Sequence, residues 1–314
     1  MVLSVVIVAY NSLGELQANF PGIRSRVEAE EPQCEFIIVD NASGDGSAVF
    51  VRGQLPGVTL QEEPANVFFG QAANRGVELA RGELVLLLNP DVAVDRLGWS
   101  EVLERFRNEP RLFAVQPQVQ DPRDGSRERL FSLAMRRGIV DLHPAPAAAD
   151  EAGREIPFAT GGVAFFRRSL FLELGGFDPL FSPFYWEDVD LGVRAARKGL
   201  KSVFLPHSRF LHWHSTIIGR HHGRREIQAV FERNRLLFLY KHVSVLSLAF
   251  LAHAFWLVPR LIRSLAGDRS FLKGFLALPG KMGQLRLSRR SLRRSRPAVS
   301  LGGLLARFKG FRHG

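Results

Sequence analysis

The chain of 314 residues reads as an α/β protein: a mostly parallel, Rossmann-like sheet flanked by helices, then a C-terminal helical extension that associates with a membrane. Three observations carry that reading. In the first half, short apolar β-branched runs alternate with helix-like stretches, the pattern of βαβ units. The runs near 5–9, 35–39 and 83–88 each end in a polar cluster, at 10–12, 40–46 and 89–91. In parallel sheets ligands bind beyond those carboxyl ends. Late in the chain an apolar run gives way to a basic segment free of acids.

The elements follow in order. Val5–Ala9 is a buried strand ending in Tyr10-Asn11-Ser12, and it lacks the basic flank and cleavage site of a signal peptide. A helix is expected over Leu13–Ala29, a second buried strand over Glu35–Val39, and a helix near Ser47–Gln54. Val58–Gln61 is a short strand, Gln71–Ala80 a helix, and Glu83–Leu88 a third buried strand ending in Asn89-Pro90-Asp91. Residues 117–157 are rich in Pro, Asp, Gly and Ala and read as a long surface loop. Thr160–Phe166 resumes as a strand, a helix opens at Glu187 and runs to about Lys198, and Ser202–Leu205 is a further strand. Val243–Val258 is an apolar run of 16 residues, short of the roughly 20 that span a bilayer as a helix. Its flanks carry Arg233, Arg235, Lys241, Arg260, Arg263 and Arg269, so an interfacial or re-entrant membrane helix is expected, with a spanning helix and a buried core helix as the alternatives.

The formal net charge of +11 is unevenly placed. Residues 269–314 carry 12 Lys+Arg and no acid, leaving 30 basic against 31 acidic residues in 1–268. Any anionic partner therefore belongs to the tail, where Leu285, Leu287 and Leu292 between arginines suit shallow insertion into an anionic leaflet. A nucleic-acid partner is not expected: the body is neutral, and the tail's late aromatics are Phe308 and Phe311. The single cysteine, Cys34, excludes an internal disulfide framework and a cysteine-based zinc site.

Several residues are suited to chemistry, each with a structural alternative. Asp40 is either a turn former or an acceptor for the ring N–H of a pyrimidine. Asp91, after a rigid strand, is either a helix cap or a ligand for Mg²⁺ or Mn²⁺, which take one or two carboxylates plus phosphate oxygens. Glu187 and Asp188 follow Phe184-Tyr185-Trp186; they are either dipole-complementing acids or a desolvated general base for an alcohol. His207, His212, His214, His221 and His222 lie within sixteen residues, and His212 and His214 share a face on a strand.

In order and spacing, the set resembles the family 2 glycosyltransferases of the GT-A fold, in particular bacterial rhamnosyltransferase-type members. The set is Tyr10-Asn11-Ser12, Asp40 to Ser47, Asn66…Gly70…Asn74-Arg75-Gly76, Asn89-Pro90-Asp91, Thr160-Gly161-Gly162, Gly175-Gly176-Phe177-Asp178 and Trp186-Glu187-Asp188-Val189-Asp190…Arg194. It covers about residues 3–240. Two features depart from the family pattern: Asn89-Pro90-Asp91 supplies one carboxylate where the D-x-D element has two, and Phe68 stands where glycine is frequent.

The resemblance implies a GT-A domain over 1–240, and the apolar run and basic composition after it imply a membrane-associating extension over 241–314. It implies an inverting, metal-dependent transfer of a sugar, rhamnose foremost, from a dTDP or UDP donor to a glycan or polyprenyl-linked acceptor. UDP-hexose or UDP-N-acetylhexosamine transfer, or a non-catalytic scaffold, are the alternatives. By position, Asp188 is the base with Glu187 supporting it. Tyr10, Asn11, Asp40, Asn74, Arg75 and Asn89 line the donor. Asp91 and His212, or His214 in place of the latter, hold Mg²⁺ or Mn²⁺. The enzyme is expected in the cytoplasm, peripheral on the inner face of the membrane.

Overall fold

The computed structural model describes all residues except 137, 146–150, 214–218, 220, 221, 245, 246, 268, 296, 297 and 309–314. The strands are β1 Leu3–Ala9, β2 Glu35–Asp40, β3 Val58–Glu62, β4 Leu84–Leu88, β5 Val92–Arg96, β6 Leu112–Gln120, β7 Leu130–Arg136, β8 Ile139–Ala145, β9 Glu155–Ile156, β10 Val163–Arg167 and β11 Lys201–His212. The helices are α1 Leu13–Glu30, α2 Ser47–Gln54, α3 Phe68–Leu79, α4 Trp99–Asn108, α5 Arg168–Glu173, α6 Glu187–Arg197, α7 Arg224–His242, α8 Leu248–Ala266, α9 Ser270–Leu276, α10 Met282–Arg294 and α11 Leu301–Arg307.

Nine strands form one sheet in the order β3-β2-β1-β4-β10-β6-β11-β5, with β9 beside β11. Six of them run one way; β5, β9 and β10 run against them. The strands near β1 are buried on both faces, because alternate side chains meet helices on opposite sides. Val5, Ile7, Leu86 and Leu88 pack with Phe20 of α1 and Phe106 of α4. Val6, Val8, Leu87 and Phe166 pack with Val77 of α3 and Leu191 of α6. A third core lies off the sheet, where α6, α7, the β7–β8 hairpin and the C-terminal helices share Val140, Trp186, Phe238, Phe271, Leu285 and Leu304.

Three expectations are corrected. The long surface loop over 117–157 is largely ordered β structure: β6 continues to Gln120, and β7 and β8 pair antiparallel, Leu133 opposite Leu142. Its polar and proline-rich composition hid Leu130, Leu133, Ile139 and Val140, which are buried. The strand expected over Ser202–Leu205 extends to His212, through a register shift against β6 between Leu205 and Arg209. In the tail, Leu285 and Leu292 point into the protein rather than outward, while Leu287 is exposed. The α10 helix is amphipathic about its own body, with Arg289 Nη1 donating to Tyr240 O at 2.9 Å.

Register explains the placement of the site. Ala9 pairs with Asp40 and Ile7 with Leu88, so β1, β2 and β4 end at one edge. The antiparallel β10 begins at that edge, Val163 opposite Leu88, and brings Thr160-Gly161-Gly162 there. His212 pairs with Val92, beside Asp91.

Candidate active site

Asp40 is buried at the end of β2. Its Oδ2 accepts the Ser43 N–H at 3.0 Å, which closes the turn, while Oδ1 is buried with no hydrogen-bond partner among the described residues. A buried acceptor left open is costly unless something fills it. Asn11, held at φ 48, braces the same loop: its N–H donates to Ser43 Oγ at 2.9 Å and its Oδ1 accepts the Gly44 N–H at 2.8 Å. Tyr10 precedes it and is half-buried, its carbonyl accepting Ser12 Oγ at 3.0 Å. Asn41 ties this loop to the start of α3, accepting the Val67 N–H at 2.9 Å and donating to Asn66 Oδ1 at 3.0 Å. Phe68, where glycine was the family's frequent choice, keeps a left-handed φ of 67, with its N–H bound by Asn66 Oδ1 at 2.8 Å.

Asn74 and Arg75 sit differently from each other. The Asn74 amide clamps the Phe177 backbone in both directions, at 2.9 and 2.8 Å. It therefore positions the Gly175-Gly176-Phe177-Asp178 segment. Arg75 is exposed and faces Glu63 and Glu78 at 3.7 and 3.3 Å. Asn89 donates its backbone N–H to Gly162 O at 2.8 Å, joining β4 to the loop before β10.

Asp91 is buried, and its Oδ1 lies 3.3 Å from His212 Nε2. The other ring nitrogen, Nδ1, lies 2.9 Å from Glu128 Oε1. Burial disfavours the charged imidazole, but the two flanking carboxylates outweigh it and raise the His212 pKa to about 9. Among the described residues no group of three or more His, Cys, Asp or Glu is arranged to hold a cation. Asp91, and His212 once its Nε2 proton is displaced, would offer two ligands, which fits Mg²⁺ or Mn²⁺ whose remaining positions are filled by phosphate oxygens and water. Glu128 would orient the imidazole. His214 lies outside the described residues.

Glu187 and Asp188 open α6. Tyr185 and Trp186 before them both have left-handed backbones, φ 69 and 76, so the chain turns sharply into the helix. Asp188 Oδ1 accepts the Val189 N–H at 2.7 Å, and Oδ2 lies 3.4 Å from the Gly161 N. Desolvation raises its pKa even against these donors. Glu187 is pushed up further, by desolvation and then by the Asp188 charge, and its Oε2 is buried without a partner among the described residues. Both carboxyl groups are thus pushed toward their neutral forms, Glu187 the more strongly, and Asp188 is the one whose shift backbone donors oppose.

Other residues of the site carried no local signal. Asn234 of α7 is fully buried and donates to the carbonyls of Phe181, Phe184 and Tyr185 at 2.5, 2.9 and 2.9 Å. Gln116 Oε1 accepts the Thr160 N–H at 2.7 Å. Glu128 lies in the stretch read as loop.

Comparison with known proteins bears on this arrangement. Residues 4–175 match the Glycosyl transferase family 2 profile. The chain is 30% identical over 245 residues to the N-acetylglucosaminyl-diphospho-decaprenol L-rhamnosyltransferase of Mycobacterium tuberculosis, covering 70% of this chain and 78% of that one. The chain is a family 2 glycosyltransferase. Two solved structures share its α/β GT-A fold. One is mannosyltransferase PcManGT from Pyrobaculum calidifontis in complex with GDP-Man and Mn²⁺, at 20% identity and TM-score 0.54 over 99% of this chain and 81% of that one. The other is S. aureus TarS 1-349 in complex with UDP-GlcNAc, at 13% identity and TM-score 0.58 over 94% and 89%. As a glycosyltransferase of this family the chain uses a nucleotide sugar, and its polar strand ends form the edge where one would lie.

Proposed function

We propose that this glycosyltransferase moves L-rhamnose from a dTDP donor, with inversion, to a hydroxyl of a polyprenyl-linked sugar at the inner face of the cell membrane, in cell-surface polysaccharide assembly. The observation that carries the reaction is the buried Glu187–Asp188 pair, in which Asp188 meets two backbone donors and Glu187 Oε2 meets none among the described residues. The choice of sugar and acceptor rests on the likeness to the decaprenol-linked L-rhamnosyltransferase.

In this reading the open Oδ1 of Asp40 accepts the N3–H that thymine and uracil share. Asn11, Asn41 and Ser43 keep that loop in shape before the donor arrives. Asp188 takes the acceptor hydroxyl proton as the oxygen forms its bond to the anomeric carbon. The bond from that carbon to the diphosphate oxygen breaks, and its electron pair leaves with the nucleoside diphosphate. Attack from the opposite face inverts the configuration. Asp91 and His212 would hold a divalent cation, which supplies charge stabilisation for the departing diphosphate. Neutral Glu187 lets Asp188 keep its charge without a second anion beside it.

A donor screen tests this. dTDP-rhamnose with Mn²⁺ or Mg²⁺ should raise the melting temperature more than UDP-glucose, UDP-N-acetylglucosamine or GDP-mannose, and should be consumed only with a polyprenyl-linked acceptor. Stronger stabilisation and turnover with a UDP sugar would replace rhamnose by that sugar. Binding of no nucleotide sugar would leave a non-catalytic scaffold.

A further inference from the structure

Helix α8 has two unlike faces. One is fastened to the catalytic body along its length: His253 Nε2 meets Tyr240 Oη at 3.1 Å, Trp256 stands edge-on to Phe271 at 5.6 Å, and Arg260 Nη2 reaches Glu232 at 3.5 Å. The hairpin turn at Gly138, φ 76, closes on it so tightly that a Cβ there would lie 2.1 Å from His253 N. The other face is bare. Leu248, Leu251, Phe255, Val258, Ile262 and Leu265 are 84, 55, 83, 58, 63 and 63% exposed. Their spacing alternates three and four residues, so they form one continuous stripe. Such a stripe marks an interaction site.

We propose that this stripe lies in the plane of an anionic bilayer, buried to the headgroup–acyl boundary, as a monotopic anchor and not a spanning helix. This rests on the membrane-surface reading above and assigns the element that makes the contact. Charge selects the occupant. From Val243 onward the chain carries 14 Lys+Arg and a single acid, Asp268. Exposed Arg263, Arg269, Lys273, Arg286 and Arg290 belong to α8 and the segments that follow it. A second copy paired in parallel along the stripe would set Arg263 against its own counterpart, with no acid on α8 between them. Anionic headgroups answer it and the other exposed cations. The fastened face selects the orientation. Standing α8 upright through a bilayer would strip His253, Trp256 and Arg260 from their partners, whereas lying flat keeps them. By length and composition alone α8 could cross a bilayer, so the fastened face decides.

The test uses the full chain and vesicles of phosphatidylcholine with or without phosphatidylglycerol. The wild type should sediment with the phosphatidylglycerol vesicles. Phe255→Glu with Ile262→Glu should lower that partition by about tenfold or more, with the nucleotide-induced melting shift kept as proof of folding. Arg286→Glu with Arg290→Glu should weaken binding and flatten its salt dependence. In a Cys34→Ser background, nitroxides at Leu251→Cys, Val258→Cys and Leu265→Cys should report equal shallow depths. Depths that grade along the helix by more than about 10 Å would mean a spanning helix and overturn the proposal. Unchanged vesicle binding in the Phe255 and Ile262 variant would overturn it too, and a halved solution mass in that variant would identify a second copy as the occupant. Loss of donor binding with vesicle binding kept would count against the catalytic reading alone.

Discussion

Asp190 Oδ1 lies 2.6 Å from Lys241 Nζ, and both side chains are buried. The contact joins the catalytic helix α6 to the last turn of α7. The same ammonium lies 2.8 Å from Asp178 Oδ2, which also accepts Ser288 Oγ from α10. Asp190 is further met by Arg194 at 2.7 Å and His242 at 2.8 Å. Burial alone would raise its pKa, but Lys241, Arg194 and His242 hold it well below the usual carboxylate range. The C-terminal helices are thus bonded to the segment that bears Asp188, two residues away.

Lys241→Met should destabilise the fold by about 3 kcal/mol, because it removes the ammonium that bridges Asp190 and Asp178 and leaves Asp190 short of a buried countercharge. The double variant with Asp190→Asn should lose less than the two single losses added together, as residues of one network do. Chemical unfolding of the four proteins measures this. Additive losses would mean that Lys241 and Asp190 do not act on each other.

His242 makes stability depend on pH. Its Nε2 faces Asp190, and its Nδ1 lies 3.1 Å from Arg197 Nη1, so the neutral tautomer with its proton on Nε2 satisfies both neighbours. Burial, backed by Lys241 and Arg197 and only partly opposed by Asp190, lowers its pKa to about 4. Unfolded, the ring would titrate near 6.5. The unfolded chain therefore binds the extra proton first, and stability falls as pH drops from about 6.5 toward 4. The melting temperature should decline across that window, and His242→Gln, which can still donate and accept, should flatten the decline. An equally steep decline in the variant would assign it to other groups.

Much of this architecture was legible locally. Strands β1, β2 and β4, with their terminal polar clusters, follow from apolar runs of the right length, and Asp40, Asp91 and Asp188 from their places after strands or at a helix start. The remainder depends on long-range pairing. Glu128 meets His212 84 residues away, Asn234 meets Tyr185 49 residues away, and Lys241 meets Asp178 63 residues away. No window of sequence holds both partners. The β7–β8 hairpin was hidden for a related reason: its apolar residues gain meaning only from the third core they complete.

Asn234 should act as a positioning residue. Its amide gathers three carbonyls of the turn that aims Asp188, and Asn234→Leu leaves them unpaired. A misplaced base of this kind costs rate on the order of 10²-fold. The expected split is a fall in kcat with little change in nucleotide Kd, read by transfer kinetics and by titration. A matching loss of nucleotide affinity would mean general unfolding instead.

Glu128→Gln should weaken the response to Mn²⁺ by roughly 10-fold, because the ring that would face the cation loses its charged backing. Asp91→Ala, which removes one of the two ligands, should weaken it more and weaken donor binding with it. Calorimetric titration of Mn²⁺ in the presence of dTDP separates the two. Transfer that survives an excess of chelator would remove the cation from the reaction.

Asp188 and Glu187 should respond oppositely to loss of their carboxylates. Asp188→Asn removes the base and should cut kcat by at least about 10²-fold, the usual contribution of a positioned base, while nucleotide Kd stays near the wild-type value. Glu187→Gln replaces a carboxyl group that desolvation and the Asp188 charge already push toward its protonated form, so most of kcat should survive. Because the base works only when ionised and its pKa is raised, kcat/KM should fall on the acid side at a pH above that of an ordinary aspartate. Glu187→Gln should leave that limb nearly in place, since no negative charge has been taken from beside Asp188. A limb that moves strongly toward acid in Glu187→Gln would mean that Glu187 is ionised in the working enzyme, and the roles of the two carboxylates would have to be exchanged.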